Sequence, residues 1–125
     1  MIVGIGIDLV EIARLKRSIE RFNERFLKRI YTVRELEYCQ QKLIQETHYA
    51  VRFAAKEAMV KAVGIGVRNG ITWQDIEVVN DDMGKPEIRT YGKCKQILSI
   101  LKVNRIHISL SHTENYGIAM VVLEK

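Results

Sequence analysis

The stretch "RFAAKEAMVKAVGIG", residues 52–66, constrains this chain more than any other. It reads as the end of a main helix running from about Glu46 to Val63, which Gly64 and Gly66 stop. Yet it sets Arg52, Lys56, Glu57 and Lys61 among alanines and aliphatics. The plainest account is solvated charge with an i,i+4 pair from Glu57 to Lys61, worth about 0.2–0.5 kcal/mol. Whether three cations and a carboxylate do more there depends on the rest of the chain.

Around that helix the remaining elements can be read from period and punctuation. Residues 2–7 are rich in Ile and Val and read as a buried strand ending at Asp8. A basic amphipathic helix is expected from about Glu11 to Phe22, with a second turn or short helix through Arg29. "TVRE" (32–35) has the form of a capping box and opens a helix through about Gln41. "WQDIEVVND" (73–81) and "EIRTY" (87–91) read as paired strands around the turn "DMGKP" (82–86), and a helix follows over 92–102. The end, "RIHISLSHTENYGIAMVVLE", reads as a hairpin turning at Thr113–Asn115. Helices and strands mix without strict βαβ repetition, so the expected class is α+β in a single domain over residues 1–125.

Several function classes drop out at this point. The start lacks a basic n-region, and Asp8 and Glu11 interrupt its apolar run, so it does not read as a signal peptide. Nowhere do 18 apolar residues run together, and no membrane span is expected. Cys39 and Cys94 lack metal-ligand spacing and fit a reducing cytoplasm, as small half-buried side chains.

Net charge is +5, but its distribution says more. Residues 12–34 hold eight Lys or Arg against Glu20 and Glu24, which points to an acidic partner. At 100° per residue Arg14, Arg21, Arg25 and Lys28 share one helical face, and Ile12, Leu15, Ile19, Phe22 and Phe26 form the other. A solvated face is the alternative.

"GIGID" (4–8) invites a dinucleotide-binding reading and fails it. The third glycine is missing, and the acid follows within two residues instead of about twenty. What survives is Asp8, a carboxylate at a strand end, placed either for function or to cap the next helix. In "IHISLSHT" the residues His107, Ser109 and Ser111 alternate outward, which puts His112 on the apolar side at the strand's end. A core histidine is one reading there. The other is an imidazole beside hydroxyls, all able to donate to phosphate oxygens. Two carboxylates, several cations and a His-hydroxyl strand end suit phosphoryl-type transfer with Mg²⁺ as the hard cation. No P-loop, kinase signature or zinc spacing competes.

Three blocks in this order carry a family resemblance: "GIGIDLVEIAR" (4–14), "FAAKEAMVKAVGIG" (53–66) and "SLSHTENYGIAMVV" (109–122), with "GKP" (84–86) between the last two. The chain resembles, over essentially its whole length, the holo-acyl-carrier-protein synthases, the small bacterial 4′-phosphopantetheinyl transferases. It departs from them at Ile65, where threonine is usual, and at Gly117, where alanine is commoner.

The resemblance implies transfer of 4′-phosphopantetheine from coenzyme A to a serine of acyl carrier protein, for fatty acid biosynthesis, releasing adenosine 3′,5′-bisphosphate. It implies Asp8 and Glu57 as Mg²⁺ ligands and, with Lys61, as the catalytic set. Arg52, Lys56, Lys61, Gly84, Lys85, Pro86, Ser111 and His112 are then expected at the coenzyme. Arg14, Arg21, Arg25 and Lys28 are expected to dock the acidic carrier. It further implies a homotrimer with sites between subunits. The proton acceptor stays open between water on the metal and Glu57. A non-enzymatic module binding nucleic acid or acidic protein through residues 14–29 is the competing class. Against nucleic acid stands the lack of an RNP pattern, zinc knuckle or aromatic-interleaved basic stretch.

Overall fold

The computed structural model describes residues 1–64 and 70–125. Its elements are β1 (Ile2–Glu11), α1 (Ile12–Ile30), α2 (Val33–Gln40), α3 (Gln45–Val63), β2 (Ile76–Asn80), β3 (Pro86–Thr90), α4 (Gly92–Ile100), β4 (Arg105–His112) and β5 (Tyr116–Glu124). Antiparallel pairing gives a three-stranded sheet in the order β1-β5-β4 and a separate β2-β3 hairpin. The α+β expectation stands. No described helix is long and apolar enough to cross a membrane.

The long helix α3 lies on the inner face of the three-stranded sheet, and small side chains make that approach possible. Ala54, Ala55, Ala58 and Met59 are fully buried against Ala119, Val121 and Leu123 of β5. On β1 the glycines at 4 and 6 meet the helix backbone directly. A Cβ on Gly6 would stand 1.8 Å from the Ala58 carbonyl oxygen, and one on Gly4 would stand 1.9 Å from that of Ala62. Both contacts are with backbone, so neither yields without parting strand from helix. "GIG" is therefore a packing device that draws α3 onto β1, with no phosphate involved.

Several boundaries differ from the sequence reading. Strand β1 continues past Asp8 to Glu11, so Asp8 does not cap α1. Glu11 occupies the N-cap position without a side-chain cap bond. α1 breaks at Asn23 (φ 50°, ψ −131°), close to where the sequence suggested a second short helix. Because a 100° period cannot be carried through a non-helical residue, Arg14 and Arg21 lie on one segment and Arg25 and Lys28 on the next. Phe22, expected on the apolar face, is exposed beside that break, with the Arg21 guanidinium 5.2 Å from its ring centre.

The Thr32–Glu35 capping box is present in both directions. Gly64, at φ +82°, ends α3 in the left-handed conformation that glycine adopts without a Cβ penalty. Gly66, read as a second stop, and Ile65 lie outside the described residues. Trp73–Asp75 form a single 3₁₀ turn under a second capping box, which delays the expected strand to Ile76.

The hairpin register is as read from the sequence. Ile106, Ile108 and Leu110 face the core, and His107, Ser109 and Ser111 face outward. His112 keeps the inward register but is exposed, because the strand ends there beyond the edge of the core. On the outer face Ile5, Ile7 and Leu9 of β1 stand beside Val122, Met120 and Ile118 of β5. Ile5, Ile7 and Leu9 are 63%, 55% and 59% exposed, an apolar sheet face that none of the described residues covers.

Candidate active site

The close approach of β1 to α3 builds a cleft at the C-terminal end of β1. β1 supplies Asp8 from its inner register, beside Gly4 and Gly6, and α3 supplies Glu57 and Lys61 one turn apart. Together with Arg14, Phe26, Phe53 and Tyr116 they line a cleft of about 590 Å³. Lys61 Nζ donates to Asp8 Oδ1 at 2.9 Å and to the Ile7 carbonyl at 3.0 Å. The ion pair expected between Glu57 and Lys61 is thus replaced by one between Asp8 and Lys61, since β1 brings a second carboxylate within reach.

Glu57 keeps a neighbour of its own sign. Burial first, then the charge of Asp8, push its carboxyl above the usual range, and Lys61 partly offsets them. Two carboxylates facing one cleft are a donor set for a hard cation. Among the described residues no cluster of three His, Cys, Asp or Glu forms a complete metal cage. Two carboxylates fit Mg²⁺, which commonly keeps water and takes substrate phosphate for the rest of its octahedron.

The other expected coenzyme residues do not converge on this cleft. Lys85 and Pro86 border a separate cleft of about 380 Å³, with Ile106 and His107. Gly84 holds φ +85° in the turn beside them. Ser111 and His112 point to opposite faces of the sheet, as consecutive strand residues must.

Arg52 is 3% exposed, with its guanidinium 4.0 Å from the Tyr38 ring centre and one nitrogen donating to Asn80 Oδ1 at 2.8 Å. Its Nε is buried without a partner among the described residues. Nearby, burial and then the charges of Arg52, Lys42 and His112 push the His48 imidazole down.

Lys56 is a correction. Its side chain is fully buried, 2.7 Å from Glu35 Oε1, and it also donates to the carbonyls of Trp73 and Ile76. All three ammonium protons are committed to protein oxygens, so none is free for a coenzyme. Glu35 is equally engaged, accepting from Thr32 N and Val78 N at 2.9 Å each. The pair pins α2, α3 and the start of β2 together.

Sequence reasoning overlooked Phe53, Phe26 and Tyr116 in the cleft wall. Phe53 had a signal: it precedes Glu57 by four residues and Lys61 by eight, and so shares their face. Its ring packs against Trp73 with centroids 5.5 Å apart. Tyr116 had none, because only the β1-β5 register sets it opposite Glu11.

Comparison with known proteins places this geometry. The 4′-phosphopantetheinyl transferase superfamily matches residues 4–121. The chain is 50% identical over 125 residues to a holo-acyl-carrier-protein synthase of Geobacter metallireducens, covering all of this chain and 99% of that one. The crystal structure of the Neisseria meningitidis holo-acyl-carrier-protein synthase superposes with a TM-score of 0.91 at 39% identity, over the whole of both chains. The Helicobacter pylori enzyme, crystallised with coenzyme A, superposes with a TM-score of 0.85 at 31% identity, over 96% of this chain and 99% of that one. The chain therefore belongs to the 4′-phosphopantetheinyl transferase superfamily, among its holo-acyl-carrier-protein synthases.

Proposed function

We propose that the Asp8–Glu57–Lys61 cleft transfers 4′-phosphopantetheine from coenzyme A to a serine of acyl carrier protein, with Mg²⁺, in fatty acid biosynthesis in the cytoplasm. The observation that carries this reading is the meeting of two carboxylates and an ammonium, from β1 and α3, in one cleft.

In the reaction the serine oxygen forms a bond to the pyrophosphate phosphorus nearer pantetheine. The bond from that phosphorus to the bridging oxygen breaks, and adenosine 3′,5′-bisphosphate leaves with the electron pair. Asp8 and Glu57 would hold Mg²⁺, which when bound supplies charge neutralisation for the pyrophosphate and fixes its orientation. Lys61 donates hydrogen bonds to the phosphoryl oxygens, where charge develops during displacement. The serine gives up a proton, for which water held in the cleft and the Glu57 carboxylate are the two candidate acceptors. Arg14, on the cleft wall, and exposed Arg21, Arg25 and Lys28 offer a basic approach for an acidic carrier.

The reading extends to a homotrimer with sites between subunits. Two observations support it: the exposed apolar face of Ile5, Ile7 and Leu9, and the spread of Lys85, Pro86 and Ser111 away from the carboxylate cleft. A neighbouring copy seated on that face covers the apolar surface and brings its own coenzyme residues toward the cleft. Arg52, Lys42, His48 and His112 form a basic cluster suited to the coenzyme's phosphates.

The test is incubation with coenzyme A, Mg²⁺ and apo-carrier protein, following the carrier's intact mass. The carrier should gain one phosphopantetheine, and Asp8→Ala or Glu57→Ala should abolish the gain without lowering the melting temperature. An unmodified carrier, or near-normal turnover in both variants, overturns the proposal.

A further inference from the structure

The ammonium of Lys61 does not hang in solvent beside the carboxylates. It is held at two points, 2.9 Å from Asp8 Oδ1 and 3.0 Å from the Ile7 carbonyl oxygen. Asp8 is itself largely enclosed, its side chain 16% exposed, whereas the Lys61 side chain is 54% exposed and has room to swing into the cleft. A magnesium-like cation bound to a carboxylate sits about 2.0–2.1 Å from the oxygen. An ammonium 2.9 Å from that same oxygen would then lie within a few ångströms of a dication, and like charges that close repel strongly.

We infer that Lys61 is a built-in occupant of the metal position, which a divalent cation must displace from Asp8. The inference rests on Asp8 and Glu57 being the metal pair. Displacement weakens metal binding in the free protein and leaves the ammonium in need of an anion. A pyrophosphate entering the cleft accepts that ammonium, so metal and coenzyme each strengthen the other's binding. By linkage the two enhancements are equal. Lys61 thus couples the two ligands before any chemistry, a role separate from stabilising the transition state.

The inference is tested by titrating the chain with Mn²⁺ alone, following free Mn²⁺ by electron paramagnetic resonance, and repeating with coenzyme A at saturation. Wild-type protein should bind Mn²⁺ weakly alone and about tenfold more tightly with the coenzyme, within the range usual for coupled sites. Lys61→Met should bind Mn²⁺ alone about tenfold more tightly than wild type and gain less from coenzyme A than wild type does, keeping only the part that comes from phosphate touching the metal. Lys61→Arg, which keeps a cation beside Asp8, should stay close to wild type and guards against a folding artefact in Lys61→Met. If Lys61→Met binds Mn²⁺ alone no better than wild type, the displacement idea is overturned while the metal pair stands. If Asp8→Asn leaves Mn²⁺ binding unchanged, the metal pair itself is wrong and the inference goes with it.

Discussion

Helix α3 carries two lysines five residues apart, and each is paired with a carboxylate from another element. Lys56 meets Glu35 at 2.7 Å with both side chains fully buried, and Lys61 meets Asp8 at 2.9 Å with its own side chain 54% exposed. The distances barely differ, but the surroundings do. Lys56 is closed in by Glu35 and by the carbonyls of Trp73 and Ile76, so leaving any member alone strands a buried charge. Lys61 opens on a cleft, where water or a ligand can replace its partner at little cost. Burial, and not pairing, divides the structural lysine from the one proposed to act in the cleft.

The largest effect should come from the buried pair. Lys56→Ala should cost about 3–5 kcal/mol in urea unfolding, because it leaves the Glu35 carboxylate uncompensated. The double variant Lys56→Met with Glu35→Gln should recover much of that loss, since the uncompensated charge is gone. A loss in Lys56→Ala below about 1 kcal/mol, the range of a surface pair, would break the comparison.

Lys61→Ala should show the reverse profile. Unfolding should change by no more than about 1 kcal/mol, as for an exposed pair. Single-turnover transfer should fall about a hundred- to thousandfold, as for loss of one preorganised donor, with coenzyme A affinity less affected. Loss of binding with the rate preserved would move Lys61 from catalysis to recognition.

The smallest effect sharpens the comparison at an intermediate site on the same helix. His48 is half-buried near Arg52, Lys42 and His112, and its imidazole is held below the ordinary value of 6.5. As pH falls below about 6.5 the unfolded chain takes up this proton before the folded one, so stability should decline slightly through that window. At pH below the folded value the decline stops. Thermal melting between pH 7.5 and 5 should show the slope in wild type and a flatter one in His48→Asn. An equal slope in both would remove His48 from the account.

Some of this was legible from local pattern because the cause was local. The Thr32–Glu35 capping box, the left-handed Gly64 stop and the alternation of 106–111 each involve residues within a few positions of one another. The Glu57–Lys61 spacing put both on one helical face, and the Asp8 block and the Ser-His block marked the family. What misled the reading also followed from distance. Glu35 was visible as a capping residue, but its other oxygen reaches Val78, and its pair Lys56 lies 21 positions away, so the burial of both had no local sign. The glycines of "GIGID", rejected from sequence as a dinucleotide motif, had no local sign of their actual part, which is room for the helix backbone.

From residue type and spacing alone follow the helices, the outward hairpin face and the basic stretch. Only the tertiary structure decided that Asp8 meets Lys61, that Lys56 is sealed and Lys61 open, and that the α1 basic face breaks at Asn23. The reason is physical. Period and capping are set by backbone geometry over a few residues, whereas burial and charge pairing depend on which distant surfaces close over a side chain.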